Sequence, residues 1–169
     1  MKSVLISIQP KWCELIANGK KTVEVRKTKP KLETPFKVYI YCTKNGNFMV
    51  QSKTNPALKT NKIKVYGGKV IGEFVCDEIE CFTTDYRANK EQTERISKLS
   101  CVSWLGMAEY EINSHCLYGW HISNLVIYDK PRELDEFLVS GNQTFDCPPL
   151  IKLKRPPQSW CYVESGDTE

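Results

Sequence analysis

The alternation of apolar and polar positions divides the chain into short elements. Val4-Leu5-Ile6-Ser7-Ile8 is rich in β-branched residues and predicts a first strand. Pro10 then suits the first turn of a helix, and Trp12, Leu15 and Ile16 fall at helical spacing on one face. Asn18-Gly19 is a stop signal, so this helix is predicted over roughly residues 10–18. Thr22-Val23-Glu24-Val25-Arg26 has period two, which predicts a strand with Val23 and Val25 on one face and Thr22, Glu24 and Arg26 on the other. Lys27 to Pro35, with its prolines and lysines, reads as a loop, and Phe36 to Cys42 as a strand.

Residues 43–68 are polar, basic and rich in Gly and Asn, which predicts a long hairpin excursion or flap ending at Gly67-Gly68. Strands are predicted over Lys69 to Ile79, Tyr118 to Tyr128 and Trp160 to Val163. Helices are predicted over Thr84 to Leu99, Trp104 to Ile112 and, opened by its proline, Pro131 to Leu138. Arg155-Pro156-Pro157-Gln158 reads as a rigid linker. Strands joined by short turns with helices between them predict a mixed barrel or an α+β domain. The expected organisation is one domain over residues 1–163 and a disordered tail over 164–169.

Composition is that of an ordinary globular chain, 41% hydrophobic and 26% charged over 169 residues. No apolar run approaches the roughly 20 residues that cross a bilayer, and the N-terminus turns polar too soon for a signal peptide. A cytoplasmic protein without a membrane partner is expected. Several of the eight cysteines sit in apolar strand-like stretches, as Cys42, Cys76 and Cys161 do, and read as reduced, buried thiols. Cys76 and Cys81 have a spacing zinc tolerates, but no second pair follows and His115-Cys116 is isolated. Neither a metal nor a cofactor is expected.

Charge is distributed unevenly. Residues 1–70 hold 15 Lys and Arg against Glu14, Glu24 and Glu33, a net +12, while residues 71–169 carry −8. Such asymmetry fits a basic face that meets phosphates, and equally a solvated lysine-rich surface.

One ordered set of motifs is more specific. Gly19-Lys20-Lys21-Thr22-x-Glu24-x-Arg26, directly after a short amphipathic helix, resembles the signature of the ASCH domain family. Val70-Ile71-Gly72-Glu73-Phe74 resembles the family's central strand with its acidic residue. Trp120 to Leu125, Tyr128 to Pro131 and Pro156 to Val163 resemble later positions. The resemblance implies a PUA-like mixed β-barrel with flanking short helices. It also implies a cleft between the first helix, the strand after it and the central strand, suited to RNA, a nucleotide or a nucleoside. Some members of the family are amidohydrolases acting on acylated cytidine, and others look like ribonucleases.

Within that frame Lys20 and Lys21 are candidates to meet a phosphate, and Lys21 to activate a nucleophile, as against completing a helix C-terminus. Arg26 offers a planar fork to a phosphate or base edge, as against a structural ion pair with Glu24. Glu73 interrupts an apolar strand and needs a partner if it faces inward. Lys21, Glu24 and Glu73 are the candidate catalytic set. The cytidine amidohydrolases similar to this chain place a threonine nucleophile three residues after the lysine. Glu24 occupies that position here, and acylating a carboxylate would give an anhydride. Ser159 and Cys161 are the conceivable substitutes. Trp120, Tyr118, Trp160 and Tyr162 offer stacking faces or core aromatics, and His121 a general base. Arg155, Gln158 and Ser159 complete the candidate contacts to nucleic acid. Three functions stay open: an RNA- or nucleotide-binding module, a hydrolase or ribonuclease, and a protein-interaction domain.

Overall fold

A computed structural model describes residues 2–44, 46–51, 62–85, 87, 89–141 and 149–165. Twelve strands and three helices alternate through it. The order is β1 (Lys2–Ile8), α1 (Pro10–Ala17), β2 (Val23–Arg26), β3 (Phe36–Cys42), β4 (Asn47–Gln51), β5 (Lys62–Tyr66), β6 (Lys69–Cys76) and β7 (Ile79–Phe82). Then come α2 (Lys90–Ser100), α3 (Trp104–Glu111), β8 (Leu117–His121), β9 (Ser123–Arg132), β10 (Phe137–Ser140), β11 (Leu150–Lys152) and β12 (Trp160–Ser165). The first helix and the first three strands lie within a residue or two of their predicted bounds. Residues 43–68 contain the β4–β5 hairpin, in register from Asn47 opposite Tyr66 to Gln51 opposite Lys62.

The strands form three sheets. The large one has seven strands in the order β11-β10-β12-β1-β3-β6-β9, a second has the order β2-β8-β7, and the third is the β4-β5 pair. β1 and β3 run parallel with Ser7 opposite Tyr41, and the crossover between them contains α1. The architecture is mixed α+β. The expectation of a barrel is corrected in one respect: no ladder among the described residues joins β9 to β11, so the large sheet stays open.

Three apolar clusters hold these layers. Val4, Ile6 and Ile8 of β1, Val38 and Ile40 of β3 and Phe74 of β6 pack with Cys13 and Ile16 of α1 and with Trp120 of β8. The other face of the sheet buries Leu5, Tyr39, Tyr41, Val70 and Phe137. Val23, Val25, Phe82, Ile96, Met107 and Leu117 join the small sheet to α2 and α3. Gly72 is obligatory in β6, because an added Cβ would lie 2.3 Å from the Val126 carbonyl oxygen of β9.

Local signals fix most ends. Gly19 adopts φ +69° after α1, and Asn89 and Ser103 cap α2 and α3 by accepting from the Gln92 and Gly106 amides. Five predictions change. The helix expected from Thr84 starts at Lys90, because Thr84 is buried and held by its amide on Glu111 at 2.8 Å. The strand expected from Lys69 to Ile79 stops at Cys76, and a separate β7 follows. The strand expected over Tyr118 to Tyr128 is two strands in different sheets. The Ile122 amide between them donates to the Thr22 carbonyl. No helix forms over Pro131 to Leu138. Pro131 lies in the last residues of edge strand β9, a single 3-10 turn follows over Leu134–Glu136, and Phe137 enters β10, where it packs against Tyr39. A proline is tolerated there because an edge strand leaves one row of amides unpaired. β12 also runs through Glu164, paired with Lys2, to Ser165, shortening the expected tail to residues 166–169, which lie outside the described residues.

Candidate functional site

β2 is the strip on which the site is built. Alternation turns Val23 and Val25 into the cluster under α2 and α3 and leaves Glu24 and Arg26 on the opposite face. The left-handed Gly19 reverses the chain after α1, and the Lys21 amide donates back to the Leu15 carbonyl at 3.1 Å. This turn carries the Lys21 side chain inward, where it is 2% exposed.

The Lys21 ammonium donates to the Ser100 carbonyl at the end of α2 (2.7 Å) and pairs with Glu24 Oε2 (3.2 Å). A cation there complements the negative end of the helix. Arg26 Nη2 donates to Glu24 Oε1 (2.9 Å) and to the Ser7 carbonyl of β1 (2.7 Å). One carboxylate, 6% exposed, therefore serves two cations and leaves one positive charge over. Burial deprives these ions of hydration, so an uncompensated cation is costly and an incoming anion is favoured. Arg26 Nε is buried with no hydrogen-bond partner among the described residues.

These three residues form the floor of a cavity of about 380 Å³, a size that suits a small organic ligand. Gln9 and Trp12 at the start of α1, Thr43 after β3, Gly106, Met107 and Tyr110 of α3, and Gln158 before β12 form its walls. Trp12 lies 5.1 Å from the Lys21 ammonium, within cation–π range. The helix carrying Tyr110 is pinned at both ends. Trp104 Nε1 donates to the Thr84 carbonyl at 2.9 Å, and Lys27 donates to the Ile112 carbonyl at 3.0 Å. Lys27 also sits 5.1 Å from the Tyr110 ring, which is 40% exposed.

The predicted site residues are thus divided. Lys21, Glu24, Arg26 and Gln158 meet in one cavity. Lys20 is exposed outside it, as is Arg155. Ser159 is outside the lining, and its carbonyl accepts the Ser7 amide. Glu73 is on the other face of the large sheet, opposite Tyr39, where it accepts from the Tyr128 hydroxyl (2.5 Å) and pairs with Lys37 (2.9 Å). The catalytic set of Lys21, Glu24 and Glu73 is therefore not assembled: strand alternation turns Phe74 toward the core behind α1 and Glu73 away from it.

Trp120 is the register partner of Glu24, but its ring is fully buried against Phe36 and Trp160 and offers no stacking face. His121 is the partner of Val23 and so belongs to the α2 side of the small sheet, where Nε2 meets Glu80 Oε1 at 2.5 Å. Glu80 also receives Arg95 of α2. Burial alone would raise its pKa, but the Arg95, His121 and Gln92 contacts hold it at about 2. Cys161 packs behind the large sheet, and burial pushes its thiol up to about 11, unsuited to attack at neutral pH. Sequence reasoning missed Trp12 and Tyr110 as cavity aromatics. Both look like ordinary core positions of amphipathic helices, and only the tertiary fold brings them to the walls of one cavity.

The arrangement defines a small α+β domain with a buried, net-cationic cavity walled by aromatic rings. The chain belongs to the ASCH domain family, whose model matches residues 6–129. Among solved structures it is similar to the ASCH protein of Zymomonas mobilis, with 19% identity and a TM-score of 0.60 over 96% of this chain and 87% of that one. Two single-residue variants of that protein compare alike. One has 19% identity over 97% and 91% of the two chains, the other 18% over 96% and 88%, both at a TM-score of 0.60. These likenesses carry the fold. The sequence matches none of the curated proteins. No helix among the described residues is long and apolar enough to cross a membrane.

Proposed function

We propose that this ASCH domain, of PUA-like architecture, binds single-stranded RNA or a nucleotide by seating one nucleotide in the cavity between α1, β2 and α3. The observation that supports this most is the shared carboxylate: two buried cations on one anion leave a positive charge at the bottom of a nucleotide-sized space. A phosphate would neutralise it. Tyr110, exposed and beside Lys27, is placed to stack on a base at the rim, and Gln158 to bond its edge. A hydrolytic reading has less support, because Glu73 is not in the cavity and no hydroxyl occupies the position of Glu24.

The test is titration of the four ribonucleoside monophosphates and short RNA by fluorescence or calorimetry. Tyr110→Ala removes an exposed ring and leaves the core intact, and should weaken binding roughly 5- to 100-fold through lost stacking. Arg26→Lys keeps the charge but loses the fork, and should weaken binding roughly 10-fold or more. Unchanged affinity in both variants would refute the assignment.

A further inference from the structure

A second depression of about 470 Å³ lies on the face of the large sheet turned away from α1, with Tyr41, Leu134 and Leu153 in its wall. Three pairs of neighbouring residues link it to the first around the sheet end. Ser7 lines the first and Tyr41 the second, and these are register partners on neighbouring strands, roughly 5 Å apart. Thr43 lines the first and Lys44 the second, adjacent in the chain. Gln158 lines the first and Pro156 the second, with the Pro157 carbonyl between them accepting the Ser7 hydroxyl at 2.6 Å.

The second depression has unspent positive charge. Its two acids are already matched: Glu133 pairs with Lys69, and Asp135 faces Lys152 at 3.9 Å. Lys44 and Lys154 line it and have no ion-pair partner among the described residues. Gly68, at φ +93°, lies under the Lys44 stem, where an added Cβ would stand 3.2 Å from Cγ, so the chain leaves room for that side chain. The Tyr41 ring forms part of the wall, and its buried hydroxyl has no hydrogen-bond partner among the described residues. Arg155, exposed between Lys154 and Pro156, adds a cation at the crossing.

From this adjacency we infer that the second depression is a further RNA subsite. A single strand whose one nucleotide sits in the first cavity passes over Thr43–Lys44 and Pro156–Gln158 and places a neighbouring phosphate between Lys44 and Lys154. This rests on reading the first cavity as an RNA site, and it makes the preferred ligand an oligonucleotide rather than a free nucleotide. Backbone neutralisation is the sequence-independent part of such binding, so the second subsite sets affinity and strand direction while the first reads the base.

The experiment compares the four ribonucleoside 5′-monophosphates with mixed-sequence single-stranded hexaribonucleotides on the full chain and on its Lys44→Ala/Lys154→Ala variant. Both lysines are exposed, so the variant folds, and its melting temperature is checked alongside. The hexanucleotides should bind at least about 10-fold more tightly than the monophosphates. The variant should lose that advantage without changing monophosphate affinity. The slope of log K against log salt should shrink by about 1.4, roughly 0.7 for each lysine. Hexanucleotides that bind no tighter than monophosphates, or an unchanged variant, overturn the second subsite and leave the first standing. If neither probe binds the unmodified chain, the first reading falls and this one with it.

Discussion

Lys21, Glu24 and Arg26 form a unit in which the carboxylate is the shared partner. Removing it without changing shape strands two cations in a place they cannot hydrate. Glu24→Gln should therefore cost about 3–5 kcal/mol in urea unfolding, the range for breaking a buried ion pair by removing one partner. A loss below 1 kcal/mol would mean that water reaches these cations freely. Burial acts on the neutral thiols in the same way. Cys76 is pushed up to about 12, mainly by burial, and Cys13 is raised by burial and by the Cys42 thiol.

Among the elements, α2 depends on Glu80. This residue reaches from β7 to Arg95 on the helix and to His121 on β8, tying the helix to both strands. Its folded pKa of about 2 lies below the ordinary 4.5. A depressed carboxylate contributes stability that is fully present above its unfolded pKa and is lost as pH falls through the folded one. The melting temperature of the unmodified chain should thus exceed that of Glu80→Gln above pH 4.5, and the gap should close between pH 4.5 and about 2. A gap that stays constant to pH 2 would show that the carboxylate charge is not what binds the helix.

On the scale of the molecule, the last strand is central to the large sheet. β12 lies between β10 and β1, and its Trp160 reaches Trp120 of the small sheet with ring centroids 5.9 Å apart. Ending the chain at Ser159 exposes both ladders and opens the core behind α1. That truncation should abolish the cooperative urea transition seen by far-UV circular dichroism, and a surviving sharp transition would refute the central role of β12. The charge split also takes shape here. Lys21 and Arg26 come from the basic first part of the chain, yet the acidic second part supplies Tyr110 and Gln158 to the same cavity.

Reading the chain residue by residue gives what is local. Period two in Thr22–Arg26, the proline at the start of α1 and the glycine after it act within a few residues, and they determine β1, α1, β2 and β3 and the shared face of Glu24 and Arg26. The ordered motifs likewise determine membership of the ASCH family. What joins distant parts is not local. Pro131 to Leu138 has helical features in isolation, but pairing of β10 with β12 and burial of Phe137 outweigh that preference. Glu73 and Trp120 have the residue types of a site, yet the phase of one strand turns Glu73 behind the sheet, and the packing of two sheets closes over Trp120. Conversely, Tyr110 became a cavity wall only because α3 packs on α2 and the small sheet, across the cavity from α1. The sequence alone determined which charges share a strand face; the tertiary structure decided which of them share a cavity, because contacts between sheets and helices depend on packing across long stretches of chain.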